Sequence, residues 1–372
     1  MLRLITLTIV LTNVLGLTGM ACADDATAPA NDPQRVVALI RQLGADKFQD
    51  REAASRALEA AGAEALEPLR QAAKGTDLEI ARRAAEIVPI VERNVEIAAL
   101  IQVVARDTEW TKRMDAAEKL GHHGKYAARA FPMLLAATKD EYPLVSYAAI
   151  KALGRVDPKR ALPELIGIAQ GPVGYGSLPG VAAIALGEIG PLAREAVPVL
   201  VELLAGKDRF VRRESALALG LIGGNDARLA PALLKATSDS EQEVRYRAVE
   251  AVGRLQELTA ECVPALIDFL QKHQGPEEDL FRHNAVVGAA LQTLGRLGPR
   301  AEKAVPVLLT VLKNERFING AHVDALKTLE LIGPAAKEAV PLLNDLAAGR
   351  MYGGVYRNKA RRVLEAIRPR RQ

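Results

Sequence analysis

The chain is poor in the residues that usually announce chemistry. It has two cysteines, one tryptophan and 4% aromatics in 372 residues. Two cysteines exclude a disulfide framework, so stability has to come from a packed core, and a chain this long can supply one. So few aromatics argue against a wall of stacking platforms for sugars or single-stranded bases. Charge of one sign is also lacking: 49 Lys and Arg face 45 Asp and Glu, a net charge of +4. That balance does not suggest a nucleic-acid polyanion as partner. Alternating β-branched runs are nearly absent, which speaks against strands. What remains is a folded, water-soluble composition, 49% hydrophobic and 25% charged.

The one long apolar run, residues 4–17, is diluted by Thr6, Thr8, Thr12 and Asn13. It is too short and too polar for a membrane span, which needs about 20 apolar residues. Arg3 precedes it, and Ala21-Cys22-Ala23 followed by Asp24-Asp25 ends it. A basic start, a short apolar stretch and an A-x-A site predict a secretory signal peptide over residues 1–23, cleaved after Ala23. The protein is then periplasmic or extracellular. A second reading makes Cys22 the anchor of a lipoprotein, although Gly19 stands where that site usually has Leu. Residues 24–32 read as a linker, and 33–372 as one array of repeats. Cleavage after Ala23 leaves Cys262 as the sole thiol. Its apolar setting, Ala260-Glu261-Cys262-Val263, reads as a buried small hydrophobe.

The array shows in two markers. A Leu-Gly step falls at Gly121, Gly154, Gly187, Gly220, Gly253 and Gly295, and Glu330 takes the next glycine place. A proline keeps time with it at Pro132, Pro163, Pro198, Pro231, Pro264, Pro306 and Pro341. A period near 33 residues predicts a stacked helical solenoid. Each repeat reads as two helices. Gly-x-Ile-Gly-Pro ends the first, because glycine suits the position after a helix and proline stops continuation. The proline marker opens the second, and apolar residues follow it at i, i+3 and i+4 spacing, as in Leu200, Leu203 and Leu204. Weaker copies run through Arg51 to Leu69 and through Ala81 to Leu100. With terminal capping helices at 33–43 and 356–367, the prediction is an all-α superhelix of about nine helix pairs.

These phrases resemble the HEAT-repeat family in its short form of 30–35 residues, similar to the phycobilisome-lyase type of HEAT-like repeat. The resemblance covers nearly everything from Pro33 to Ile367. It implies an armadillo-like helical solenoid held by an internal ladder of Asp and Arg. Asp107 with Arg113, and Asp239 with Arg245, match the six-residue spacing of that ladder. Asp208 is only four before Arg212, and Asp140 is followed by Ser146 where Arg is due, a break in the ladder. The resemblance also implies that the second helices line the concave face.

Catalytic signals are weak. His122-His123 has neither Cys nor a third His at a useful spacing, and reads as a solvated turn rather than a metal site. Gly121-His122-His123-Gly124-Lys125-Tyr126 is too short for a phosphate loop, and Tyr175-Gly176-Ser177-Leu178-Pro179 lacks the glycines of a nucleophile elbow. Glu277-Glu278-Asp279 reads as helix N-terminal charge. No catalytic residue, metal ligand or cofactor is assigned.

A protein or extended-peptide partner is the expected ligand. On the outward positions of the second helices, Glu202, Lys235, Asp268 and Lys313 form a row of alternating sign, unsuited to a nucleic-acid groove. Three long connections, 171–180, 274–283 and 349–356, carry Tyr175, Phe281, Tyr352 and Tyr356 on one edge, and exposed Tyr is a common interface anchor. A basic C-terminal run from Arg357 to Arg371 offers an envelope contact. The reading is an exported, non-catalytic scaffold of undetermined oligomeric state. The alternatives are a tetrapyrrole-handling protein related to bilin lyases, and an envelope adaptor attached through that tail.

Overall fold

The computed structural model describes residues 32–172, 177–224, 226–255, 260–273, 280–315 and 320–368, with backbone alone for 280–284. The expected signal peptide and Tyr175 lie outside the described residues. Every described element is helical. The chain divides into two compact units, Met1–Glu96 and Ile97–Gln372, where the sequence reads as one array.

The first unit holds α1 (Pro33–Gln42), α2 (Phe48–Ala61), α3 (Ala63–Ala72) and the start of α4 (Leu78–Arg106). Asp32 begins α1, its carboxylate accepting the Gln34 N–H at 3.0 Å. The core is Val36, Leu43, Leu58, Leu69, Ile87 and Val91, all buried. The sequence predicts a helix pair between Ala81 and Leu100, and the structure corrects this. α4 is one helix of 29 residues, with Pro89 inside it. No glycine falls in that stretch, so nothing supplies the left-handed residue that ends a helix before a proline. Eight helix pairs result among the described residues, not nine.

The second unit continues as α5 (Trp110–His123), α6 (Phe131–Ala137), α7 (Pro143–Val156), α8 (Pro158–Ala169), α9 (Leu178–Ile189) and α10 (Val197–Leu204). There follow α11 (Arg209–Ile222), α12 (Leu229–Ala236), α13 (Gln242–Arg254), α14 (Cys262–Lys272) and α15 (Leu280–Leu297). It ends with α16 (Val305–Lys313), α17 (Gly320–Ile332), α18 (Val340–Ala347) and α19 (Arg357–Ile367). From α5 to α18, odd numbers are first helices and even numbers second helices. In three repeats the Gly-Pro phrase becomes a 3₁₀ turn such as Gly190–Ala196, whose glycine has φ of 69°, and Gly124-Lys125 opens a fourth such turn without the proline. L-residues avoid that region, which is why the phrase needs glycine there. Pro163 departs from the pattern: α8 begins at Pro158, capped by Asp157, and Pro163 sits inside it. Cys262 is buried, as read.

The Leu-Gly marker acts between repeats. A β-carbon on Gly121 would lie 3.1 Å from Ala152 Cα, on Gly187 2.9 Å from Ala218 Cα, and on Gly220 2.8 Å from Ala251 Cα. First helices therefore touch backbone to backbone. Second helices do not: a cleft of about 340 Å³ opens between α6 and α8, and one of about 180 Å³ between α8 and α10.

The Asp and Arg residues do link successive turns, by a different pairing from the one the spacing suggests. Arg113 donates to the Asp107 carbonyl at 2.9 Å, while its Nε and Nη2 reach both carboxylate oxygens of Asp140, one repeat on, at 2.9 Å each. Arg212 does the same with Asp239, at 2.8 and 2.9 Å, and with the Gly206 carbonyl six residues back. Arg245 holds the Asp239 carbonyl at 2.9 Å and the ring of His273 at 3.1 Å. The six-residue contact is thus to a backbone oxygen, and any residue can provide it. The side chains of Asp107 and Asp239 accept the Glu109 and Glu241 N–H groups in the turns just before their helices. Asp140 is a full member of the ladder, and the break falls one step later, where Ser146 Oγ donates to the Asp140 carbonyl at 3.2 Å.

Candidate functional site

The predicted contact residues on the second helices stand on four of them. Glu202, Lys235 and Lys313 are exposed on α10, α12 and α16. Asp268 on α14 is half-buried, accepting from Ser238 Oγ at 3.1 Å and Lys272 Nζ at 2.8 Å. They share a face, and the Ser238–Asp268 bond joins two of the repeats that carry them. Only Glu202 borders a cleft, the smaller one.

The loop-edge aromatics do not form an exposed row. Tyr175 is outside the described residues, and Phe281 falls within α15, its side chain outside them as well. Tyr356 is 3% exposed, which corrects its assignment as an interface anchor. Tyr352 is half-buried and donates its hydroxyl hydrogen to the Leu312 carbonyl at 2.8 Å. Both rings pack on His322, with centroids 4.9 and 5.4 Å away. The last helix needs apolar cover at its entry, and these tyrosines give it. Burial pushes the His322 pKa down, and hydrogen bonding to the Asn314 carbonyl at 3.0 Å opposes this.

A larger concavity lies on the close-packed row. A cavity of about 560 Å³ crosses α5, α7, α9 and α11. That volume is within the ~300–1,000 Å³ typical of ligand sites. Met114, Leu144, Tyr147, Val181, Ile184 and Phe210 supply its apolar surface. The local sequence explains the hollow. α9, LPGVAAIALGEI, carries no charge before Glu188, and its small residues set it back between bulkier neighbours. Gly180 makes space for Phe210, since a β-carbon there would collide with that ring. The Arg213 guanidinium sits 5.1 Å from the Phe210 ring centroid and fixes its other face.

The rim is polar. Arg155 forms a two-pronged pair with Glu188, at 2.8 and 3.0 Å, tying α7 to α9. That hydrogen bonding raises the Arg155 pKa against the opposing effect of burial. Glu118, His122 and Lys151 complete the border. Lys151 has no ion-pair partner among the described residues, so a cation stands free beside an apolar floor. This arrangement suits a side chain that is apolar with a carboxylate close by. Among the described residues no three His, Cys, Asp or Glu side chains gather as metal ligands. Sequence reasoning missed this site by searching the second helices. Its signal was α9 itself, a helix apolar all round in an array of amphipathic ones.

Comparison with known proteins agrees with the repeat reading. The pattern described as HEAT repeats matches residues 97–175 and 230–327, and that of the PBS lyase HEAT-like repeat matches 180–206. No curated protein matches the chain in sequence. Among solved structures, an engineered protein is 20% identical with a TM-score of 0.51, over 89% of this chain and 98% of that one. YibA of Escherichia coli is 15% identical with a TM-score of 0.46, over 76% of this chain and 98% of that one. Kap95p, in a structure of its binding to RanGDP, is 13% identical with a TM-score of 0.46, over 90% of this chain and 51% of that one. At such identities the likeness concerns fold alone.

Proposed function

We propose that this chain, which belongs to the HEAT-repeat family, is an exported, non-catalytic scaffold that grips a protein partner or extended peptide on its first-helix row. The cavity across α5 to α11 carries the reading: an apolar floor of 560 Å³ bordered by charge is a receptacle for an anchoring side chain. The mixed signs along the repeats, Glu118, Lys151, Glu188 and Glu250 among them, favour a polypeptide over a nucleic acid. Export rests on the basic, apolar and A-x-A phrases of residues 1–23.

The test uses the chain as bait in envelope extract at physiological salt. Three baits run in parallel: the wild type, Ile184→Asp in the cavity floor, and Glu202→Lys with Lys235→Glu on the second helices. A partner held by the wild type should weaken at least ~30-fold with Ile184→Asp, as for a central anchor, and stay with the second-helix variant. Loss with the second-helix variant alone would return the site to the second helices. Nothing retained by any bait, with a visible absorption band in the purified protein, would support the tetrapyrrole alternative instead.

A further inference from the structure

The arginines of the ladder recur at one register. Arg113, Arg212 and Arg245 each stand eight residues before a Leu-Gly marker, at Gly121, Gly220 and Gly253. Arg113 and Arg212 each reach a carboxylate 27 residues on, in the next repeat. In the last repeat Glu330 takes the marker place, and the residue eight before it is His322. The residue 27 further on is Gly349, which has no side chain to offer. The ladder therefore ends in a histidine with no acid opposite. An arginine keeps its charge at any ordinary pH, whereas a histidine gains or loses one near neutrality.

What faces His322 instead is aromatic. Its side chain is fully buried, with the Tyr352 and Tyr356 rings centred 4.9 and 5.4 Å away. Its Nε2 lies 3.0 Å from the Asn314 carbonyl, which can only accept, so Nε2 carries the hydrogen. Nδ1 is buried without a hydrogen-bond partner. A second proton would go there and place a charge in a closed box with no acid to balance it. The Asn314 and Val311 carbonyls favour the charged form, and burial outweighs them both. The charges of the surrounding elements are engaged elsewhere or exposed. Asp324 on α17 accepts from Gln292 of α15, and Asp345 on α18 pairs with Arg350. Arg357 of α19 packs over Gly349 and Gly354. Lys313 of α16 is exposed, and Glu315 beyond it bears on Tyr352 rather than on His322.

We infer that His322 is an acid-sensitive latch on the C-terminal cap. Neutral, it is the surface on which Tyr352 and Tyr356 pack, and Tyr356 leads directly into α19. Tyr352 adds its hydroxyl bond to the Leu312 carbonyl. Protonated, the ring draws in water, and that parts the tyrosines from it. The turn at Tyr352–Gly354 and α19 then loosen together, and Ala360, Val363 and Ile367 leave the core. The inference is independent of the groove, which lies on α5 to α11.

Hydrogen exchange of the full chain, corrected for the intrinsic effect of pH, tests it helix by helix. From about pH 7 to about pH 5 the ladder carboxylates stay ionised, so the ladder itself does not titrate. The folded pKa of His322 lies below the unfolded value of ~6.5. Its contribution is therefore full above ~6.5 and declines as pH falls from there toward the folded value. Opening of α19 should rise several-fold on acidification, by at most about tenfold per pH unit, the limit for one proton. Opening of α7 should not rise with it. His322→Phe keeps a ring in the box, and His322→Gln keeps a donor for Asn314; in both, the acid-driven rise should vanish. The imidazole proton resonance missing from either variant should titrate below ~6.5 in the wild type. Flat exchange of α19 in the wild type overturns the inference, as does an equal rise in α7. So does a rise that survives in whichever variant folds, or a His322 resonance that titrates at or above ~6.5.

Discussion

Replacing Asp239 by Ala should cost this protein far more than removing any surface acid. The Asp239 carboxylate accepts two hydrogen bonds from Arg212 and one from the Glu241 N–H. The paired side chains are only 12% and 13% exposed. Losing the turn hydrogen bond to the Glu241 N–H costs about 1 kcal/mol. Leaving a largely buried guanidinium without its partner costs about 3–5 kcal/mol, reduced here because Arg212 keeps the Gly206 and Lys207 carbonyls. A net loss of about 3 kcal/mol is therefore expected. The control is Asp226→Ala. Asp226 pairs with Arg228 within one turn, and its pKa is lowered to about 2 by the Arg228 side-chain and backbone hydrogen bonds. The Arg228 side chain is 56% exposed, however, so this pair contributes roughly 0–1 kcal/mol despite the shift. Urea unfolding followed by circular dichroism measures both. The pH dependence follows the same logic. Burial works to raise the pKa values of Asp140 and Asp239, but their arginine and backbone hydrogen bonds outweigh it and hold both below the ordinary carboxylate range. A lowered folded pKa means stability that is present above the unfolded value, near ~3.9, and lost as pH falls through the folded value. Wild type should lose stability in that acid window, and Asp239→Ala should lose less of it. Equal urea midpoints for Asp239→Ala and Asp226→Ala would refute the reasoning that the ladder, rather than charge pairing in general, holds the turns.

Two further substitutions test the packing. Gly220→Val should destabilise by about 1–3 kcal/mol or more, because its β-carbon would meet Ala251 Cβ at 2.7 Å, and Ala251→Gly in the same chain should restore part of the loss in thermal melts. Tyr356→Ala should cost about 3–5 kcal/mol as an emptied core site, and Tyr352→Phe about 1 kcal/mol for the lost hydrogen bond to Leu312; an unchanged melting temperature for Tyr356→Ala would show that the ring does not close the last repeat.

The fold was legible because its markers are backbone devices. A glycine at positive φ, a proline in a first turn and an i, i+3, i+4 stripe each leave a residue-level trace, and all three recur with one period. α4 was misread because its apolar positions repeat like those of a pair, while the stretch has no glycine at which a first helix could end. Which row packs tightly was also in the text, in a relation between repeats. Gly121, Gly187 and Gly220 each meet the alanine two places before the next marker, Ala152, Ala218 and Ala251. A single repeat shows only Ala-Leu-Gly, and the contact joins two copies. The ladder was found by spacing and mis-paired for the same reason. The groove escaped because no one residue marks it. It arises where α9 is small and uncharged between helices that are neither, and only stacking turns that difference into a hollow.

The backbone contact of glycine and alanine also has a mechanical meaning. Atoms already touching cannot be pressed closer, whereas the clefts between second helices have room to widen or close. A stack built this way flexes like a leaf spring whose neutral axis runs along the first helices. Bending changes the spacing of the second helices most and the span from Tyr147 to Phe210 least. A ligand seated on the first-helix row would feel a constant pitch while the outer row breathes, and a load on the array would register in the outer clefts before it disturbed the grip.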